Sequence, residues 1–408
     1  MKVMILGGGA SGMMAALRAA ENPHNAVTIL ERQARVGRKL LATGNGRCNL
    51  SNIHADVSRY HGQDAAFCSY ALRQFGCERA LSFFRSLGLL TVTEPDGKVY
   101  PLSDSANSVV DVLRFALEAK GVAVECGCEV TEVRRKARGY SILTADGRSF
   151  FADKLIVACG GCAGSALGGT KDGYRILTSL GHHMTDLTPS LVQVKTEPDF
   201  VRALKGVRAD ASVMLKINGA KVQSEQGEIQ FTEYGLSGPA IFALSGQIAA
   251  QDGEKILLLD FVKDAEKEEL LTILRQKRTS FPNLCAQELL TGILHPRLGR
   301  SVVKQAAIPA EKPISALTDA ELCAVCEKVK CLAVRVLGTM GFDHAQVTAG
   351  GIYCSEFSPK TLESRLNPNL FAAGEVLDID GDCGGFNLQW AWASGYLAGS
   401  LGAAEETP

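Results

Sequence analysis

No stretch of this 408-residue sequence approaches the 18 or so consecutive apolar residues that a membrane-spanning helix needs. Basic clusters are missing as well: the longest run is Arg134-Arg135-Lys136, set within a strand-like pattern, and the formal net charge is −1. A near-neutral chain without a basic patch has no overall field to draw it to nucleic acid or to anionic lipid, which counts against both as partners. Internal repeats and low-complexity linkers are absent, and any unstructured tail is confined to the last few residues. The amino terminus does not read as a secretory leader, because residues 3–6 form a strand and Gly7 opens a turn, so cleavage would destroy the first structural unit. A cytoplasmic protein is the expectation, with its thirteen cysteines mostly reduced and buried. Nor does a Ser-His-Asp set or a pair of catalytic carboxylates stand out.

What is present is globular in character. Apolar residues make up 46% and charged residues 21%, and the length allows roughly two to four domains. The segment KVMILGGGASGMMAALRAAENPHNAVTILE is the most informative. Val3 to Leu6 suits a buried parallel strand, Met13 to Ala20 is rich in helix formers, and Val27 to Leu30 is a second strand ending in Glu31. Between the first strand and the helix, Gly7, Gly9 and Gly12 spell G-x-G-x-x-G. In a dinucleotide site the first glycine makes the tight turn, the second admits a pyrophosphate, and the third lets the helix pack on the strand. The helix start, with Ser11 in its first turn, then presents free N–H groups and a partial positive charge to phosphate. Glu31 follows Gly12 by 19 residues, near the spacing at which a carboxylate reaches ribose hydroxyls and repels a 2′-phosphate.

Three further features favour FAD over NAD as the resident dinucleotide. DKLIVACGG (153–161) reads as another parallel strand, following an antiparallel meander of CEVTEVRR, GYSILTA and SFFA. NPNLFAAGEVLDIDGDCGGFNLQWAWASGYLAGSLGA closes the chain with a strand at Leu370–Ala373, a turn at Gly374-Glu375 and a glycine-opened helix from Gly384 to Leu401. No second G-x-G-x-x-G with a terminal acid occurs. One end of FAD needs the first fingerprint, and the flavin end needs a separate helix N-terminus, which the helix at Gly385, Asn387 and Leu388 can supply.

These motifs together resemble the BaiN-like (YhiN-like) family of NAD(P)/FAD-dependent oxidoreductases, also called the aminoacetone oxidase family. The resemblance covers essentially the whole chain and rests on TGNGRCNLSN (43–52), GKVYP (97–101), FTEYGLSGPA (231–240), TAGGI (348–352) and AAGEVLDIDGDCGGFNLQWAWASGY (372–396). It implies an α/β fold: a Rossmann-like, three-layer FAD-binding domain carrying an inserted domain of β-structure and a helical subdomain. It implies that the loop of Thr43, Gly44, Asn45 and Arg47 lies against the flavin, and that Arg38 and Lys39 serve the phosphate and ribityl side. Further FAD contacts are expected from Arg32, Val130, Gly160, Gly374, Glu375 and Asp378. Arg47, flanked by Gly46 and Cys48, is expected to reach inward, opposite a polar wall of Asp378, Asn387 and Gln389. The catalytic acid or base is not identifiable.

The expected division is 1–189 for the first part of the FAD domain, 190–345 for the insertion and 346–408 for the return. The insertion is expected to cover the flavin's substrate side. Within it, 190–262 is β-rich: SLVQVKT, ASVMLKI, AKVQSE and GEIQFTE read as strands, with Asn218-Gly219 as a hairpin turn. The helical part, 263–333, contains KDAEKEELLTILRQKR, PNLCAQELLTGIL and LTDAELCAVCEKVKCLAV as helices.

Several constellations are set aside. Cys159 and Cys162 form C-x-x-C at a strand end assigned to the adenosine half of FAD, and read as ordinary thiols rather than a redox pair. Cys323, Cys326 and Cys331 fall on one helical face without a fourth ligand, which favours packing over metal. His182-His183 is weak evidence for metal, and no metal is expected. The leading function is a flavoprotein reductase, with NAD(P)H as a transient reductant and a small flat enone as substrate. The resemblance suggests a 3-oxo steroid or bile-acid-like compound. An amine oxidase using oxygen and a tRNA-modifying flavoprotein are the alternatives, and the oligomeric state is not indicated.

Overall fold

The computed structural model describes residues 1–403, and the tail expected at the carboxyl end falls in 404–408, outside the described residues. The chain forms two compact units, one of Met1–Thr188 with the residues from Ala345 on, the other of Pro189–His344.

The first unit is organised by a five-stranded sheet in the order Leu370–Ala372, Lys154–Val157, Lys2–Leu6, Ala26–Glu31, Ala123–Cys126, with every neighbouring pair parallel. The central strand is buried from Val3 to Leu6, as a strand covered on both faces must be. A strand from residue 370 pairing with one from residue 154 returns the end of the chain to the sheet on which it began. The first helix, Ala10–Ala19, and the closing helix, Phe386–Gly399, pack at backbone distance. A side chain at Gly395 would run into Ser11 O and one at Gly399 into Ala15 O, so only glycine allows the approach. The closing helix is apolar around its circumference, the pattern of a helix buried in a core. The meander is present as Val130–Arg135, Tyr140–Thr144 and Ser149–Ala152.

The second unit contains a closed six-stranded barrel in the order Val194–Thr196, Gly235–Ser237, Ala220–Phe231, Arg208–Ile217, Lys255–Asp260, Leu332–Thr339. Alternate residues such as Val213, Leu215, Leu257, Leu259 and Phe231 are fully buried, so side chains belong to a packed core. Asn218 and Gly219 make the hairpin turn with φ of 49° and 81°, both positive as a type I′ turn requires.

Here the structure corrects several sequence readings. AKVQSE and GEIQFTE are one continuous strand, Ala220–Phe231, with Gly227 inside it. The segment 282–294 holds only a short 3₁₀ turn at Ala286–Glu288, and the helix stands later, at Pro296–Gln305, opened by its proline. The helix begun by the Thr318–Glu321 capping box ends at Lys330, and Leu332, Val334 and Val336 then alternate inward as a barrel strand. Cys331 therefore lies beyond the helix and is exposed, away from the face shared by Cys323 and Cys326. Helix Pro239–Ala250, opened by its proline, is not among the elements that the sequence pattern predicts. Among the described residues, no helix is long and apolar enough to cross a membrane.

Candidate cofactor site

The turn after the first strand is built as the glycine spacing demands. Gly7 has φ of 103°, and a side chain there would strike Ala158 O. A side chain on Gly12 would run into Gly7 O, closing the gap between turn and helix. Gly9 is the N-cap, with open space where a Cβ would stand. No side chain caps this helix and no acid occupies its first turn, so its N–H groups and positive end remain available to an anion. Glu31 has a task that spacing did not reveal: its carboxylate accepts from Gly8 N at 2.6 Å and Gln33 N at 2.7 Å. The acid is thereby fixed against the glycine turn.

Around this turn the structure gathers residues from distant segments. Ser11 is buried, with its Oγ 3.5 Å from Ala373 O, and a side chain on Gly374 would meet that Oγ. Arg32 lies 3.5 Å from Asp172 and donates to Gly168 O at 3.4 Å, while Arg38 donates to Gln33 Oε1. Gly160 has φ of 71° and faces open space at its Cβ position. Val130 is buried at the start of the meander, and its carbonyl accepts from Arg175 at 3.3 Å. Lys39 and Glu375, 336 residues apart in sequence, form an ion pair at 2.9 Å, and Glu375 also accepts from Thr348 N at 2.7 Å.

The loop from Thr43 to Asn49 is conformationally unusual. Gly44, Asn45, Gly46 and Cys48 all have positive φ, which is costly at the two non-glycine positions. Thr43 donates to Leu40 O at 2.6 Å and accepts Cys48 N at its carbonyl at 2.9 Å, which closes the loop. Arg47 does not reach inward. Its guanidinium pairs with Asp104, pairs with Glu94 at 3.0 Å and lies over the Tyr100 ring at 3.9 Å. These two carboxylates hold it firmly charged. The small neighbours do leave it room, but acids contributed by the segment 94–104 claim it.

Asn49, part of the same motif but not among the expected contacts, joins this loop to the closing helix. With its amide oriented to suit its neighbours, Nδ2 donates to Ser51 O at 3.0 Å and Oδ1 accepts Gly385 N at 3.1 Å. Asn52 donates to Gly384 O at 2.9 Å and Ser51 donates to Gln389 at 2.7 Å. The expected polar wall is accordingly reassigned. Gln389 is fully buried and donates to Phe75 O, and Asn387 grips Gly381 by accepting its N–H and donating to its carbonyl. Both brace backbone groups, Gln389 from a fully buried position and Asn387 from a half-buried one. Leu388 is half-buried in the same first turn. Asp378 is 3% exposed and accepts Gln63 N at 3.1 Å, and burial raises its proton affinity.

The side constellations hold free thiols and two histidines engaged by a carboxylate. All thirteen cysteines are free, and burial pushes Cys48 and Cys159 up to about 12, so both stay protonated thiols. His182 and His183 both bind Glu356, at 2.8 and 2.7 Å, and His182 also meets Ser364. Among the described residues no group of three or more ligating side chains could hold a metal ion.

An uncapped helix behind a glycine turn, an acid fixed at the next strand end and a second glycine-opened helix suit an elongated dinucleotide. Comparison with known proteins agrees. Residues 1–401 match the HI0933-like protein Rossmann domain. The chain belongs to that family. It is 40% identical to the 3-dehydro-bile acid delta(4,6)-reductase of Clostridium scindens, over all of both chains. It is also 29% and 27% identical to the ribosomal RNA dihydrouridine synthases of Escherichia coli and Haemophilus influenzae, over 96% of each chain in both cases. This member of the HI0933-like family is an FAD-dependent oxidoreductase.

Proposed function

We propose that the protein reduces a C=C bond conjugated with a carbonyl in a flat small molecule of the 3-oxo bile-acid or steroid type, with NAD(P)H as the transient electron source. The observation that carries this reading is the 40% identity, from end to end, with the Clostridium scindens reductase. FAD, when bound, supplies the hydride. The chain's own residues hold it: N–H groups at Gly9, Ser11 and Gly12 take the pyrophosphate, Glu31 takes the adenosine ribose, and Lys39 with Glu375 takes the ribityl side. Arg32 and Arg38 add positive charge near the phosphates, and Val130 and Gly160 border the adenosine half. The loop from Thr43 to Asn49 and the helix start at Gly385 frame the flavin end. Thirteen free cysteines fit a cytoplasmic location.

The test is anaerobic reduction by NADH or NADPH, followed by separate mixing with a 3-oxo-4-ene steroid and with oxygen. The enone should reoxidise the flavin faster than oxygen does. An enzyme reduced by a small amine and reoxidised only by oxygen would be an oxidase, and the proposal would fall. Reduction of a pyrimidine in RNA is the second reading, favoured by the two dihydrouridine synthases; the net charge of −1 weighs against a polyanion. Reoxidation by RNA and by no enone would establish it instead.

A further inference from the structure

Three acids alternate in the segment Asp378-Ile379-Asp380-Gly381-Asp382, and two of them are spoken for. Asp378 accepts Gln63 N, and Asp382 binds His61 at 2.7 Å and Arg59 at 3.4 Å. Asp380 is 6% exposed, and its carboxyl has no hydrogen bond or ion pair with any described residue. Asn25 Oδ1 is the fully buried side-chain atom left without a partner among the described residues, so the Asp380 oxygens, also without one, keep some contact with solvent and are free to meet a reactant. Its position is tightly held. Asp380 pairs across strands with His61, and the next residue, Gly381, is gripped at its N–H and carbonyl by Asn387 in the first turn of the closing helix. The unpartnered carboxyl thus sits beside the helix start assigned above to the flavin end.

Resting on the enone-reductase reading, we propose that Asp380 is the proton donor of the reaction, delivering its carboxyl proton to the α-carbon of the conjugated bond. The β-carbon takes up a hydride, the π bond becomes two C–H bonds, NAD(P)H ends as NAD(P)+, and Asp380 is left as a carboxylate that regains a proton from water. The groups facing Asp380 suit this task. Burial raises its proton affinity most, the carboxylates of Asp378, Glu375 and Asp382 raise it further, and only His61 opposes them, which brings the carboxyl to about 7. An acid poised there both holds and releases a proton at neutral pH. His61, exposed and hydrogen-bonded to Asp382, is the adjacent group through which a proton can return.

The test uses the FAD-loaded protein with Asp380→Asn and Asp380→Glu. Asp380→Asn should keep its FAD and its reduction by NAD(P)H, while reoxidation by enone falls about 100-fold or more. The wild-type reoxidation rate should decline above about pH 7, Asp380→Asn should lose that dependence, and Asp380→Glu should restore part of the rate. A second readout needs no turnover. A carboxyl whose folded pKa lies above its unfolded value of about 3.9 contributes stability below pH 4 that is lost as pH rises through 7. The wild-type melting temperature should therefore fall across that window relative to Asp380→Asn, leaving the variant the more stable above pH 7. Normal reoxidation in Asp380→Asn, parallel melting profiles, or loss of FAD from that variant would each overturn the role. A wild-type enzyme that no enone reoxidises would instead sink the reductase reading, and the proton-donor role with it.

Discussion

The two glycine-opened helices of the first unit share a start without a side-chain cap or a first-turn acid and differ in how the chain leading into each is held. At Ala10–Ala19 the N-terminus is left bare: Gly9 caps without a side chain, and no acid stands in the first turn. At Phe386–Gly399 the start is laced to the protein, with Gly385 N taken by Asn49, Gly384 O by Asn52 and Gly381 by Asn387. A bare terminus is an anion site, because four unsatisfied N–H groups and the helix dipole are offered together. The laced lead-in leaves the first-turn N–H groups of Phe386–Gly399 without a side-chain cap and adds rigidity to them, and so suits a ring edge that must be held in place. Asp380, one residue before the gripped Gly381, inherits that rigidity.

Gly12→Ala should produce the largest effect. Its Cβ would collide with backbone at Gly7 O, which cannot swing aside, so a loss of ~4 kcal/mol or more and failure to retain FAD are expected in chemical unfolding and absorbance measurements. Tolerance of that alanine would show that the bare terminus is less closely built than its contacts indicate. Glu31→Gln comes next. The amide keeps one acceptor for Gly8 N or Gln33 N but loses the charge-assisted bonds, worth about 1.5–3 kcal/mol for a charged partner. FAD should bind about 10- to 100-fold more weakly by fluorescence titration, and unchanged affinity would remove Glu31 from the ribose. Arg47→Ala should matter least. Its ion pairs are well exposed to solvent, where such pairs contribute about 0–1 kcal/mol, so stability should drop by less than ~1 kcal/mol with FAD content and flavin spectrum intact. Release of FAD from that variant would return Arg47 to the flavin and erase the contrast between a structural loop brace and a cofactor contact.

What the sequence determined by itself is the part whose physics is local. Strand, glycine turn, helix, strand and Glu31 lie within the first 31 residues, and the tightest glycine approach, Gly12 to Gly7 O, is local to that unit. The turn at Asn218-Gly219 was legible for the same reason, since both positions must adopt positive φ. Where local patterns compete, legibility failed: Leu332 to Val336 alternates with period two, but a strong helix immediately before it masked the change. Tertiary structure alone decided the rest. Arg47 was claimed by Glu94 and Asp104, Gln389 by Ser51 and Phe75, and Glu375 by Lys39 from 336 residues away. Which polar side chains are already satisfied depends on neighbours that only folding assembles, and Asp380 could be recognised as lacking a hydrogen-bond partner only after the others had been placed.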